Sequence, residues 1–267
     1  MHPIERLRWV ARAPAGDLSL MAAEAADALA SFADDPAGLV IASRRLIERR
    51  PAAGPLWWLA SRVLCALDPA FEAMDAAADL ERDRTPVTLA GDLPGGTIAI
   101  VGWPDHASSA LRIRGRMSGD ESASDRVLVV PSAPDSWGCV DWLQGHALDA
   151  RLLHDGEVAA AGKRCVLALL EASAVGPDSF VAATGSAALA ASARDARRPV
   201  WLVAGVGRAL PAPLYDALLR RIDGDEAVEV VPLDTADEIV GPNGPVLRAQ
   251  LARVSCPVAA ELLRFSG

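Results

Sequence analysis

Four groups of residues in this sequence have the types and spacing to do chemistry. Asp105-His106 follows a short apolar, β-branched run, Thr97 to Val101, and sets a carboxylate beside an imidazole where a parallel strand would end. Such a pair can act as general base and acid, although an Asp at that place more often caps a helix. Gly185-Ser186, with Thr184 before it, lies between the apolar run Phe180 to Thr184 and an Ala-rich helical stretch. A helix N-terminus there offers free amides with a partial positive charge, suited to a phosphate. The alternative is that Gly185 makes the turn and Ser186 only caps the helix, and both readings stand. Gly205-Val206-Gly207-Arg208 also follows a strand-like run, but position 210 is Leu and Pro211 comes next, so the G-x-G-x-x-G fingerprint fails and a chain-reversing turn is the reading we favour. Arg44, Arg45, Arg49 and Arg50 offer guanidinium forks that match phosphate oxygens. On a helix they cover more than one face, which a solvated charged surface also explains. Further carboxylates near strand ends are Asp135, Asp155 and Asp178, while His146 and His154 read as surface or loop residues.

Other chemistries find no support. Cys65, Cys139, Cys165 and Cys256 lie far apart with no C-x-x-C pair, and the four histidines have no metal-ligand spacing. Buried structural thiols are expected, with no metal and no cofactor. Walker A and G-x-S-x-G motifs are absent. Over 267 residues, 26 Lys+Arg against 35 Asp+Glu give a net charge of −9 with no basic patch, which speaks against nucleic-acid binding. The 51% hydrophobic content is inflated by Ala; no run reaches the roughly eighteen apolar residues of a spanning helix. Met1 to Arg12 carries Glu5, Arg6, Arg8 and Arg12 and lacks the core of an export signal. A soluble cytoplasmic protein with no membrane partner is expected.

The elements that must position these groups follow from periodicity and from proline. Helices are predicted over Leu18 to Phe32, from Asp35-Pro36 to Arg50, from Pro55 through Leu67, and from Asp68-Pro69 towards Arg84. After the turn cluster Asp92 to Gly96 the pattern changes. Short strands are predicted at Thr97 to Val101, Val127 to Val130, Ala150 to Leu153, Phe180 to Thr184, Val200 to Ala204 and Val228 to Val231. Helices fall between most of them, at Asp105 to Arg114, Ser136 to Gln144, Glu157 to Ser173, Ser186 to Arg197 and Pro213 to Arg221. The polar stretch Gly115 to Asp125 reads as a loop. The fold class is therefore α/β, with a helical N-terminal domain over residues 1–92 and a Rossmann-like domain with a mostly parallel sheet over 93–267.

Several of these pieces, in this order, resemble a known family. Arg50-Pro51-Ala52-Ala53-Gly54-Pro55-Leu56-Trp57 is similar to the Ala-Arg-Pro-Thr-x-x-x-Leu-Phe/Trp segment of the translation initiation factor 2B alpha/beta/delta family. That family includes methylthioribose-1-phosphate and ribose-1,5-bisphosphate isomerases. Val127 to Pro134 resembles its strand followed by Glu-Ser/Thr-Arg-Pro. Ser186 to Arg194, followed by Arg198 to Ala204, resembles its Gly-Thr-x-x-Leu-Ala-x-x-Ala helix leading into Val-Pro-Val-x-Val-Ala. Pro257 to Leu263 is similar to its closing Thr-Pro-x-Glu-Leu-Ile. The resemblance implies a helical part on a Rossmann-like domain, a homodimer, and a pocket for a phosphorylated small molecule at the sheet edge.

In the isomerases of that family a Cys from a Thr-His-Cys segment and an Asp from a Gly-Ala-Asp segment move protons on the sugar. Here the Thr-His-Cys place reads Gly102-Trp103-Pro104, with no thiol. Asp178 is the carboxylate if Val175-Gly176-Pro177-Asp178 stands for Val-Gly-Ala-Asp. If Phe180 to Thr184 is the equivalent strand, Gly185-Ser186-Ala187 takes that place and the carboxylate is gone; we favour this second alignment. The family's Asn-Gly…Asn-Lys stretch is missing in both. Arg50 carries over best as a phosphate contact, with Gly185 and Ser186 next. The first functional reading is a diverged protein of this kind that binds a sugar phosphate or nucleotide in a regulatory role. Alternatives are an aldose–ketose isomerase on a phosphorylated pentose with Asp178 or Asp105 as base, and a dimerisation or partner-binding subunit with a vestigial pocket.

Overall fold

Prolines and aspartates set the helix starts in the first third of the computed structural model, which describes residues 18–118, 126–132, 136–251 and 256–264. Asp35 and Asp68 accept from the Gly38 and Phe71 amides at 2.9 and 3.0 Å, just ahead of Pro36 and Pro69. Cap and fixed proline φ together begin α2 (Pro36–Arg49) and α4 (Pro69–Glu81). With α1 (Leu18–Ala30), α3 (Gly54–Cys65) and α5 (Thr85–Asp92) these form a helical layer. Ala22, Ala25 and Ala26 are buried on α1, and such small side chains let it lie close against α4. Helix α3 is buried almost all round, from Leu56 and Trp57 to Val63, as a helix inside a core must be.

Short apolar runs then build a sheet. Its path is β3 (Asp149–Leu152), β2 (Arg126–Val130), β1 (Ile98–Val101), β4 (Leu167–Val175), β6 (Val200–Val203), β8 (Glu238–Gly241) and β9 (Gly244–Pro245). All of these neighbours pair parallel except β8 with β9. Registers such as Ile98↔Val127, Ala99↔Ala168 and Leu170↔Leu202 send alternate residues to opposite faces. Ile98, Ile100, Val127, Val129, Leu167 and Leu169 pack with α5, with α6 (Asp105–Ser118) and with α7 (Ser136–Gly145). Ala99, Val101, Leu128, Val130 and Leu170 pack on the other face with α9 (Ser186–Asp195). From β1 the chain winds outward to β2 and β3 and then returns to β4 on β1's other side. The switch point between β1 and β4 opens a crevice at their carboxyl ends.

The α/β class with its mostly parallel sheet stands as read from the sequence, and three local expectations do not. The helix expected over Glu157 to Ser173 is instead a 3-10 turn (Asp155–Ala160), the short α8 (Ala161–Arg164) and the central strand β4. Leu, Ala and Glu favour helix in isolation, but a run buried between two helical layers takes the ladder, and tertiary context overrides propensity. The strand β5 (Ser179–Ala183) runs antiparallel to the end of β4, and β7 (Val228–Pro232) pairs antiparallel to β5. Gly115 to Ser118 continues α6, while residues 119–125 lie outside those described, as do Asp135 and Met1 to Arg12. Of the cysteines, Cys139, Cys165 and Cys256 are buried as expected and Cys65 is exposed. No helix among the described residues is long and apolar enough to cross a membrane.

Candidate functional site

Arg50 owes its position to a proline stop and a tryptophan staple. It is the C-terminal cap residue of α2, and Pro51 cannot continue the helix. The turn that follows is closed by Ala53 N donating to Arg50 O at 3.1 Å and by the buried Trp57 Nε1 donating to Pro51 O at 2.8 Å. Arg221, from α10 (Ala212–Arg221), stacks its guanidinium 4.9 Å from the Trp57 ring. The result points the α2–α3 corner at the crevice.

On the sheet side, Asp105 and His106 open α6, three residues beyond the end of β1. The sequence favoured a capping role for Asp105, but the α6 amides of His106 and Ala107 donate to Glu171 of β4, at 3.3 and 2.9 Å. Asp105 Oδ2 instead accepts from Leu18 N at 2.8 Å and lies 3.4 Å from Arg208 Nη2. Arg208, in the β6–α10 turn, is 2% exposed in its side chain. It reaches Glu171 Oε1 at 3.0 Å and donates through Nη1 to the Ala172 carbonyl. His106 Nε2 donates to Asp83 Oδ2 at 3.0 Å, and Nδ1 lies 3.2 Å from Glu171 Oε1. Asp83, just before α5, also accepts from Val206 N at 2.7 Å and from Thr85 N and Oγ1 at 2.8 and 2.6 Å. One buried network thus ties the helical layer, β4, α6 and the β6–α10 turn together.

Arg208 meets two carboxylates, Asp105 and Glu171, and a third, Asp83, faces His106, which leaves this network short of positive charge unless the imidazole carries it. Burial and the Arg208 charge push the His106 imidazolium down, but the bonds to Asp83 and Glu171 outweigh them and hold its pKa at about 9. Glu171 Oε1 lies 3.2 Å from His106 Nδ1 and 3.0 Å from Arg208 Nη2, which are themselves 2.8 Å apart, so one carboxylate oxygen faces both cationic groups. Burial raises the Glu171 and Asp83 carboxyls, and their cationic partners more than offset it, so both stay well below the usual range. Gly205 makes room for the pair: a Cβ there would sit 2.5 Å from both Asp83 Oδ2 and His106 Nε2.

Above the network lies a cavity of about 390 Å³, within the range of small-molecule sites. Arg49, Arg50 and Trp103 stand on its outer side, Asp105, Glu171 and Arg208 on its inner side, and Ser173, Ser186 and Asp225 complete its polar lining. None of its lining residues is a cysteine. Among the described residues no group of three or more His, Cys, Asp and Glu is arranged to hold a metal ion.

Comparison with solved structures assigns the architecture. A translation initiation factor eIF-2B from Pyrococcus horikoshii OT3 superposes with a TM-score of 0.73 at 15% identity, covering 91% of this chain and 96% of that one. The chain has the initiation factor 2B-like fold. The tetrameric eIF2B-beta2-delta2 complex from Chaetomium thermophilum also gives 0.73, at 16% identity over 94% and 92% of the two chains. A 5-methylthioribose 1-phosphate isomerase from Pyrococcus horikoshii OT3 gives 0.66, at 18% identity over 94% and 85%. No protein-family model and no curated protein sequence matches the chain.

Within this eIF2B-like fold, the structure brings Arg50, Asp105 and Ser186 to one cavity and leaves Asp178 away from its lining. Asp178 stands in the β4–β5 turn, where its carbonyl accepts from Leu233 N at 2.9 Å. Gly185 closes β5, which is antiparallel rather than parallel as expected, yet its α-carbon still faces Val101 and Val130 at the carboxyl ends of β1 and β2. The amides of Gly185 and Ala187 at the start of α9 donate to Glu229 Oε1 at 3.0 and 2.8 Å, so a side chain already occupies the anion position predicted there. Ser186 is buried and donates to the Ala183 carbonyl at 2.7 Å. Glu171, Arg208 and Asp83 escaped the sequence reading. Glu171 and Arg208 did leave a signal: Glu171 is the one charge in the apolar run Leu167 to Val175, and Arg208 follows a Gly-x-Gly turn.

Proposed function

We propose that this protein binds a phosphorylated sugar or a mononucleotide in the cavity at the β1–β4 switch point, in a regulatory role, with Arg50 as the phosphate contact. The observation that carries this reading is the cavity itself. A guanidinium pair, Arg49 and Arg50, meets a polar inner wall across about 390 Å³, at the place where open α/β sheets bind ligands. Ala183 and Ser186, at the end of β5 and the start of α9, also line the cavity. The protein is proposed to act in the cytoplasm as a homodimer, in keeping with the oligomeric assembly named for one of its structural neighbours.

A second reading, an aldose–ketose isomerase on a phosphorylated pentose, has one observation in its favour. Asp105 lines the cavity beside Arg208, and in this reading it would be the base that takes a proton from a sugar carbon. The acid that would complete that reaction has no thiol to supply it in this cavity, and we rank binding above catalysis.

The test is a thermal-shift and calorimetry panel of pentose phosphates, methylthioribose 1-phosphate, nucleoside monophosphates and NAD, with Arg50→Ala alongside. A ligand at a hundred times its Kd stabilises by about 2.7 kcal/mol, several degrees for a chain of this length. The reading expects such a shift with a phosphorylated member and its loss in Arg50→Ala. Silence across the panel overturns it and favours the partner-binding alternative.

A further inference from the structure

Helix α4 buries one side and offers an apolar row on the other. Ala73, Ala76 and Leu80 are buried in the core of the helical layer. On the opposite side Phe71 and Met74 are 66% and 67% exposed, and Leu67, just ahead of the Asp68 cap, is fully exposed. Ala78 continues the row and is partly exposed. The positions 67, 71, 74 and 78 alternate steps of four and three residues, which is the period of a coiled-coil seam. Single exposed apolar residues are ordinary. Three large ones in one row, in a chain that takes so much of its apolar content from alanine, mark an interaction face. None of them lines the cavity described above.

The row has an acidic flank. Asp68, Glu72, Asp75 and Asp79 repeat the same spacing one position on, so they run alongside it. Arg62 of α3 is held by three of them, by Glu72 and by Asp75 and Asp79 at 2.8 and 2.7 Å. Its guanidinium also lies 4.6 Å from the Trp58 ring, so α4 is pinned to α3 and the row is presented on a rigid support. One guanidinium among three carboxylates leaves the flank negative, and Arg82, 3.9 Å from Asp79 at the end of the helix, offsets only part of it. Asp75 and Asp79 keep 45% and 41% of their side chains exposed.

That charge decides among the occupants an apolar row could take. A second copy laid antiparallel across a two-fold axis would set one acidic flank against another, on a chain that already carries a net charge of −9. An anionic membrane surface is repelled for the same reason. A helix with an apolar row of its own and cations beside it answers both features at once. We infer that the Leu67, Phe71 and Met74 face of α4 docks an amphipathic helix of a partner protein, with Arg or Lys beside its apolar row to meet Asp68, Asp75 and Asp79.

The probe is a synthetic helical peptide with Leu at its a and d positions and Arg at the flanking ones, titrated into the full chain by fluorescence anisotropy. An otherwise identical peptide with Glu for Arg is titrated beside it. The inference expects the Arg peptide to bind more tightly by about tenfold or more and to weaken as salt is added. It also expects that binding to be lost in Phe71→Ser/Met74→Ser, whose denaturation midpoint should stay where it was, because both side chains lie on the surface. Equal affinity for the two peptides overturns the inference, as does binding that survives the double substitution, or binding of neither peptide. A dimer in sedimentation that the double substitution turns into a monomer gives the face to a second copy and overturns it as well. Should the double variant unfold, Met74→Ser alone carries the test. The cavity takes no part in any of these outcomes, so the phosphate reading stands or falls separately.

Discussion

His106 is the residue on which the buried charges depend, because its two ring nitrogens bridge Asp83 from the helical layer and Glu171 from the sheet. Its imidazolium titrates at about 9 in the folded protein against about 6.5 in an unfolded chain. The stabilisation it brings is therefore complete below about pH 6.5 and is lost as pH rises through 9. Asp83 and Glu171 are depressed, so their share is present above the ordinary carboxylate range and is lost as pH falls below it. Thermal denaturation across pH 4 to 10 should show a maximum near pH 5–6.5 and a decline on the alkaline side. His106→Gln should lower stability by about 3–5 kcal/mol, because it leaves buried carboxylates uncompensated, and should flatten that alkaline decline. An unmodified protein whose Tm does not change between pH 6.5 and 9 would contradict this protonation state. Arg208→Lys belongs to the same argument: an ammonium cannot reproduce the fork that spans Ala172, Glu171 and Asp105. It should destabilise despite keeping the charge, measurable as a lower denaturation midpoint.

At the scale of elements, β4 and the turn before α9 do most to place the site. The parallel half of β4 carries Glu171 to the switch point, and its antiparallel second half turns β5 back so that Gly185 returns to the same edge. Gly185 has φ 105, in the left-handed region, and a Cβ there would approach Val130 Cγ1 to 3.3 Å. Gly185→Ala is expected to cost about 1–3 kcal/mol and to disturb the hold of Glu229 on the α9 amides. Urea denaturation measures the first effect. The second would appear as weaker ligand binding, and a variant with unaltered midpoint would refute the backbone argument. Residue types alone made β4 look helical, so the carboxylate it positions was invisible until the strand was placed.

At the scale of the whole molecule, the helical layer does not close its core alone. Met21, Leu29, Leu56, Trp57 and Leu80 share one hydrophobic cluster with Leu214 and Leu218 of α10, with its C-terminal cap residue Ile222, and with Cys256, Ala259 and Leu262 near the C-terminus. Ser61 Oγ locks the last of these in place, donating to the Pro257 carbonyl at 2.6 Å and accepting from Ala259 N at 2.9 Å. Removing residues 256–267 should therefore destabilise α1–α4, far away in sequence, and heat denaturation of the full chain should follow a single transition. Separate transitions for the helices and the sheet, seen by calorimetry, would show that the shared cluster does not couple them.

The amino-acid sequence by itself determined the α/β class, the proline-started helices, the six predicted strands, of which β1, β2, β3 and β6 pair parallel and β5 and β7 antiparallel, and the order of motifs that resembles the initiation factor 2B family. Those features are written in local periodicity, caps and breakers, which each segment carries without its neighbours. It also singled out Arg50, Asp105 and Ser186 by type and place. Only the tertiary structure decided that these three line one cavity while Asp178 does not, that Glu171 rather than Asp105 caps α6, and that Arg208 and Asp83 complete the buried network. The reason is physical. Whether a carboxylate caps a helix, neutralises a guanidinium or faces a ligand depends on which charges lie within a few ångströms of it, and those charges come from segments as far apart as residues 83 and 208.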